Sequence, residues 1–181
     1  RTREFEQMEM QYFVKPGTDN EAFGQWKDKR LNFYLDNLNI NKDKLRFHEH
    51  GSSELAHYAK EAWDIEYEFP FGWSEIEGIH NRTDYDLSRH EEFSGKNLSY
   101  FDQPNNDRYL PYIIETSAGL NRMLLTVLAD AYWEDDENNR TVMRISPRLA
   151  PVKAVICPLL KKDGLPEKAR EIVEILKPHF K

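Results

Sequence analysis

Arg1, Arg3, Phe5, Gln7 and Glu9 occupy the odd positions of the opening stretch RTREFEQMEM. In an extended chain successive side chains point to opposite faces, so these five form one row. Met8, Met10, Tyr12 and Val14 form the other, apolar row as the run continues through QYFV. This alternation predicts a half-buried antiparallel strand over residues 1–14. Two cations and an acid around one aromatic ring suit a ligand that is both flat and charged. Taken alone, they equally suit a solvated ladder of cross-strand ion pairs beside a core phenylalanine.

IETSAGLNR is a second chemical constellation. Ile113, Glu115 and Ser117 share a strand face, Gly119 permits a sharp turn, and Arg122 falls in the first turn of the helix that follows. Free N–H groups and the dipole at a helix N-terminus favour anions, and an arginine there adds a formal charge, so triphosphate would suit this spot. Glu115 and Ser117 suit an ammonium or a metal ion; the competing reading is a helix cap with its counter-ion. Glu75 in WSEIEG is another acid near a glycine, with an ordinary ion pair as its alternative. His48, His50 and His57 lie close in sequence, but a zinc site needs fixed tetrahedral geometry and no cysteine is near, so they read as solvated or capping. Lys161, Lys162, Lys168 and Arg170 read as a solvated helix face and loop before they read as an RNA contact.

These groups need elements to hold them. Thr18 and Glu21 have capping-box spacing ahead of a helix carrying Phe23, Trp26, Tyr34 and Leu38. Leu55, Tyr58, Ala59 and Ala62 predict a second helix that passes into a strand near Ile65 and Tyr67. PFGWSEIEGIHNRTDYDL predicts a strand with Trp73, Glu75, Glu77 and Ile79 on one face, interrupted by Gly78 where a backbone or ligand comes close. LPYIIETSAGLNRMLLTVLADAYWEDD predicts a strand, a turn and a helix with a stripe of Leu120, Met123, Leu124, Val127, Leu128 and Ala131, ended by a polar EDDENN loop. VKAVICPL reads as a strand buried on both faces, and Pro166 opens a helix with Ala169, Ile172, Val173 and Leu176 inward. A domain boundary is expected near Pro147 to Pro151.

Of 181 residues, 39% are hydrophobic and 31% charged, a globular balance. A net charge of -7 argues against a surface coated with nucleic-acid-binding charge, although a local basic patch can still grip an RNA backbone. Cys157 is the only cysteine, which excludes an intramolecular disulfide and fits a reducing compartment. No apolar run is long enough to span a bilayer, so no membrane partner is expected, and a cytoplasmic location is. The start on Arg1 suggests a piece of a longer protein.

RTREFEQME resembles the second strand of motif 2 in class II aminoacyl-tRNA synthetases, where an arginine four residues before a phenylalanine clamps ATP between guanidinium and ring. IETSAGLNR resembles motif 3, whose arginine closes over the triphosphate. Together with ELAHYAKEAWDIEYEFPFGWSEIEGIHNRTDYDL, SGKNLSYFD and LAPVKAVICPLLKKDGLPEKA, they make the chain similar over essentially its whole length to the homodimeric glycyl-tRNA synthetases.

The resemblance implies a function, glycine–tRNA ligation, and roles for particular residues. ATP would meet Arg1, Thr2, Arg3, Glu4 and Phe5, with Phe5 stacked on adenine; Glu75 and Ile76; and Gly119, Leu120, Asn121 and Arg122. Arg1 and Arg122 would be the catalytic cations, and Glu75 the candidate ligand for Mg²⁺. Glycine would lie among Phe5, Glu6, Gln7, Met8 and Glu9 on one side and Glu115, Thr116, Ser117, Ala118 and Gly119 on the other, in a pocket small enough to reject a side chain. Thr116 stands where the family commonly has proline, and Asn121 where aspartate or glycine is frequent.

The implied fold is α+β: the class II antiparallel sheet flanked by helices over residues 1–148, then the start of an α/β anticodon-binding domain over residues 149–181. Motif 1 and the first half of motif 2 would precede Arg1, so the chain is expected to be an internal fragment, inactive in isolation. The implied partners are tRNA(Gly), glycine, ATP and a second copy of the full-length protein. Two alternatives stay open: a non-catalytic relative of the kind found as the accessory subunit of mitochondrial DNA polymerase, and a ligase for another small amino acid such as alanine or serine.

Overall fold

Alternating segments become strands that pair antiparallel, and apolar stripes become helices laid on one face of the resulting sheet. A computed structural model describes residues 3–51 and 55–180. In chain order come β1 (Gln7–Val14), α1 (Asp19–Asn32) with a π-helical stretch at Phe33–Asn37, β2 (Leu45–Glu49), β3 (Glu61–Phe69) and β4 (Gly72–Thr83). They are followed by α2 (Tyr85–Ser94), β5 (Tyr100–Asp102), β6 (Asp107–Tyr109), β7 (Tyr112–Gly119) and α3 (Leu120–Ala131). The hairpin of β8 (Tyr132–Asp135) and β9 (Arg140–Met143) and then α4 (Leu165–Leu176) complete the order. Five strands form one antiparallel sheet in the order β1-β7-β4-β3-β2, so the fold is α+β with a large antiparallel sheet and helices. Among the described residues no helix is long and apolar enough to cross a membrane.

The chain divides into two units, Arg1–Met143 and Arg144–Lys181. In the first, Phe23, Tyr34 and Leu38 from α1 and its extension pack with Met123 from α3 against Ile65, Tyr67, Ile79 and Ile114 of the sheet. Each such fully buried apolar side chain contributes about 1.5–3 kcal/mol. A buried ion pair lies on this face too: Arg30 of α1 donates to Glu77 through Nε at 2.5 Å and Nη2 at 3.0 Å. The opposite face of the sheet stays polar, as one-sided packing of an antiparallel sheet permits.

Several expectations give way. Among the described residues the opening strand starts at Gln7, which pairs with Gly119, where β7 ends and α3 begins; residues 3–6 have no ladder on β7 to join. Glu6 is tied to the helix start instead: its N–H donates to Asn121 Oδ1 at 2.8 Å and its carbonyl accepts from Leu120 N at 2.9 Å. On the expected apolar row, Met8 and Tyr12 are exposed. The Thr18–Glu21 capping box does not form, since Thr18 Oγ1 donates back to the Lys15 carbonyl at 2.8 Å.

No helix forms at Leu55–Lys60; those residues make turns, and Ala62 belongs to β3. EDDENN is the tip of the β8–β9 hairpin. The α3 stripe is only partly buried: Met123 and Ala131 are inside with Thr126, while Leu120, Leu124 and Leu128 are exposed. In the second unit, α4 starts as expected, with Pro166 in its first turn after Gly164 at φ 73°. VKAVICPL, however, forms no strand, and Val152, Val155 and Leu159 are exposed. A strand buried on both faces needs neighbours on both edges, and this unit supplies none among the described residues.

Candidate active site

The pleat of β1, β7 and β4 selects which side chains reach the polar face. Gln7, Glu9 and Gln11 from β1, Ile113, Glu115 and Ser117 from β7, and Gly78, His80 and Arg82 from β4 line a cleft of about 600 Å³. Tyr58 and the α2 residues Asp86, Leu87 and His90 border it. A second pocket of about 470 Å³ shares Gln7, Glu75 and Ser117 with the first, and is completed by Phe5, Glu6, Ile76, Gly119, Asn121, Arg122 and Leu125.

Glu75 enters both pockets because of a β-bulge. Ile65 pairs with Glu77 but Glu66 pairs with Glu75, leaving Ile76 as an extra residue in β4. A bulge reverses the facing of every residue beyond it. The expected single face of Trp73, Glu75, Glu77 and Ile79 is thus split: Glu75 turns to the cleft, while Glu77 and Ile79 are buried on the other side.

Glu115 is the electrostatic centre of the first cleft. Its side chain is 9% exposed. Arg82 Nη1 donates to its two oxygens at 3.0 and 3.2 Å, and Gln11 Nε2 donates to Oε2. The same guanidinium forks Asp86 through Nε at 2.6 Å and Nη2 at 2.9 Å, and lies 4.0 Å over the Tyr58 ring. The hydrogen-bonded Asp86 and the nearby Glu115 charge hold the Arg82 pKa above its ordinary value, and the Arg82 hydrogen bond lowers that of Asp86. Next to this cluster Gln7 Nε2 bridges Ser117 Oγ at 2.6 Å and Glu9 Oε1 at 2.9 Å.

At the second pocket, strand β7 passes straight into α3 with Gly119 as N-cap, so Arg122 occupies the helix's first turn. Its Nη1 donates to the Glu75 carbonyl at 2.5 Å and lies 3.5 Å from the Glu75 carboxylate. Phe5, 48% exposed, lies on the wall of the same pocket. An aromatic ring, a helix N-terminus and a guanidinium together fit a nucleotide with its phosphates.

The sequence-predicted residues therefore separate into groups. Phe5, Glu6, Gln7, Glu9, Glu75, Ile76, Glu115, Ser117, Gly119, Asn121 and Arg122 line one or both pockets. Met8, Thr116 and Ala118 sit at the alternate positions of β1 and β7, away from the cleft, and Thr116 and Ala118 are buried in the interior. Leu120, Arg3 and Glu4 are exposed and line neither pocket. Arg1 and Thr2 lie outside the described residues. The cleft is also far larger than the small pocket expected for one glycine. Among the described residues no group of three or more His, Cys, Asp or Glu side chains is placed to hold a metal ion.

Arg82, Gln11, His80, Tyr58 and Asp86 were not singled out from sequence, because strand alternation identifies faces but not which strand lies beside which. Gly78 has a local reason: a Cβ there would come within 2.7 Å of His80 Cε1. Gly78→Ala is expected to cost about 1–3 kcal/mol by overpacking, read as a lower denaturant midpoint at unchanged slope. An unshifted midpoint would show that the ring moves aside freely.

No protein-family model matches the chain. Over 189 residues it is 56% identical to a glycine–tRNA ligase of Treponema denticola, a match covering 100% of this chain and 42% of that protein. It is 51% identical over 182 residues to one of Chlorobaculum tepidum, covering 99% of this chain and 38% of the relative. With one of Thermobifida fusca the identity is 54% over 190 residues, covering 99% and 41%. The chain thus spans about two fifths of the length of these curated relatives.

Proposed function

The chain is related along its whole length to the glycine–tRNA ligases, and from that relationship we propose that it is a catalytic part of such an enzyme. In this reading it activates glycine with ATP and passes the glycyl group to tRNA(Gly). The observation that carries it is the adjacency of the two pockets, one holding Glu9 and Glu115 and the other Phe5 and Arg122, with Gln7, Glu75 and Ser117 in common. An amino acid's ammonium suits the acidic cleft, a nucleoside triphosphate suits the pocket that joins Phe5, the α3 N-terminus and Arg122, and the shared wall brings carboxylate and phosphate together.

The glycine carboxylate attacks the α-phosphate of ATP, the bond to the β-phosphate breaks, and pyrophosphate leaves with glycyl-adenylate remaining. The terminal ribose hydroxyl of the tRNA then attacks the glycyl carbonyl and releases AMP. This chemistry needs little covalent help. Positioning and stabilisation of phosphate charge do most of it, the second being the role of Arg122. Mg²⁺ would supply further neutralisation of the triphosphate. It usually binds through one or two carboxylates plus phosphate oxygens, and Glu75, with its side chain 45% exposed beside Arg122, fits that need.

Glycine has no side chain to recognise, so its selection rests on charge and on exclusion by volume. The whole cleft is too wide for that, and exclusion is assigned to the part of its wall where Gln7 bonds to Ser117 and Arg82 bonds to Glu115. Within the class II fold we assign residues 1–148 to the catalytic domain and residues 149–181 to the beginning of an anticodon-binding domain. The complete protein is proposed to be a cytoplasmic homodimer.

ATP–pyrophosphate exchange by the complete natural polypeptide, run across amino acids, tests the reading. Glycine-dependent exchange is expected. Exchange with alanine or serine in its place would make it a different ligase, and no exchange with any amino acid would favour a non-catalytic nucleic-acid-binding relative. In the same assay Glu115→Gln is expected to lower kcat/KM for glycine about tenfold or more while the KM for ATP stays put, since a bond to a charged group contributes about 1.5–3 kcal/mol. Unchanged glycine kinetics would remove Glu115 from the amino-acid subsite.

A further inference from the structure

His80 and Glu115 face each other directly in the β4–β7 pairing. The His80 side chain is 16% exposed, and its Nδ1 lies 3.6 Å from Glu115 Oε1. That distance is beyond a hydrogen bond, and Nδ1 is buried with no hydrogen-bond partner. An unpartnered buried polar atom is costly, so this one needs a use. A neutral imidazole carries one N–H and one lone pair. With the Glu115 carboxylate 3.6 Å from Nδ1, an N–H placed there can donate once Glu115 moves slightly inward. Hydrogen bonds of this sort are often long before substrate binds and tighten afterwards.

Resting on the proposed glycine-activating function, we propose that His80 is a positioning residue that steers the Glu115 carboxylate together with Arg82, also of β4, and Gln11 of β1, so that a substrate ammonium meets it in one orientation. The absent Cβ of Gly78 gives the ring its place, since any side chain there would strike Cε1. Arg82 and Gln11 already occupy much of the carboxylate's acceptor capacity. A third donor beside Oε1 sets how the charge is presented without adding a cation of its own.

The charge state of His80 matters for that reason. Burial lowers its pKa from the ordinary 6.5, opposed by the negative charges of Glu115 on β7 and Asp64 on β3 and aided by His50 and Arg82. Tyr58 packs near its ring, and Glu9 of β1 with Asp86 and His90 of α2 share the cleft. Protonated His80 would pair with Glu115 as a resident cation and compete with the incoming ammonium. Affinity for the amino acid is therefore complete above the His80 pKa and falls as the pH drops through it.

The test is the glycine KM in pyrophosphate exchange by the complete natural polypeptide, measured from about pH 5 to about pH 8. His80→Ala is expected to raise the glycine KM about three- to tenfold near neutrality with the KM for ATP unmoved, and to lose the acid rise seen in the wild type. His80→Asn places an amide N–H where Nδ1 stood, so it is expected to recover most of the affinity but not the acid rise. A wild-type glycine KM and pH profile in His80→Ala, or an Asn variant as impaired as the Ala variant, would overturn the inference. If the wild type shows no glycine-dependent exchange, the proposed function itself fails. The steering contact is then still read by heteronuclear NMR of the imidazole, assigned by its absence from His80→Asn. A proton on Nδ1 supports the contact, and one on Nε2 overturns it.

Discussion

Replacing Arg122 with alanine is expected to slow glycine-dependent pyrophosphate exchange by about 10²–10³-fold, the usual cost of deleting a preorganised donor aimed at developing charge. Arg122 is held by its place in the first turn of α3 and by the bond from Nη1 to the Glu75 carbonyl. In the proposed function it meets phosphate as a guanidinium fork alongside the helix N-terminus. Tyr67 and Met123 on the core face do not depend on it, so the fold is expected to survive. The diagnostic is the contrast between steps: adenylate formation suffers and tRNA affinity does not. Arg122→Lys keeps the charge but not the fork, and is expected to fall between. Normal exchange with lost tRNA affinity would move Arg122 from the phosphate subsite to the nucleic-acid surface.

Arg82→Leu carries the second large effect, on stability. Arg82 spans two carboxylates, Glu115 and Asp86, and its side chain is as shielded as that of His80. Removing one partner of a shielded ion pair leaves the other buried and uncompensated, at about 3–5 kcal/mol. Loss of the Tyr58 contact adds to this in the same direction. The measurement is the denaturant midpoint, with Arg82→Lys intermediate because an ammonium cannot fork both acids. A Leu variant as stable as the wild type would show that water repairs the site.

Acid titration supplies a cross-check on the same cluster. The folded-state pKa of Asp86 lies below its ordinary 3.8, so its contribution is present above that value and is lost as the pH falls through the lower, folded-state value. Arg82→Leu removes the cause of the depression, and with it this acid-side component of the stability profile.

Much of the second pocket was legible from local pattern. In YIIETSAGLNRMLL the period changes from two to 3.6 at Gly119, and the structure changes from β7 to α3 at that residue, with Arg122 in the first turn. Pro166 marks the start of α4 for the same local reason: its fixed φ suits a first turn. Glu9, Glu115 and Ser117 could be placed on a common kind of surface by alternation alone. Such features depend on residues within a few positions of one another, and a sequence carries that information in order.

Tertiary structure decided what is non-local. Residues 3–6 are outside the strand because β7, the neighbour of β1 among the described strands, turns into a helix opposite that point. Glu75 and Glu77 face opposite ways because Ile76 bulges out of a ladder whose register is set jointly by β3 and β4. Arg82 and His80 on β4 and Gln11 on β1 converge on Glu115 only because β7 lies between those strands. VKAVICPL has the composition of a buried strand and remains unpaired, since apolar composition supplies half of what a strand needs and a neighbour supplies the rest. Side-chain type and spacing therefore determined which residues are capable of binding an ammonium and a phosphate. Strand order and pleat phase, fixed by contacts tens of residues apart, decided which of them meet.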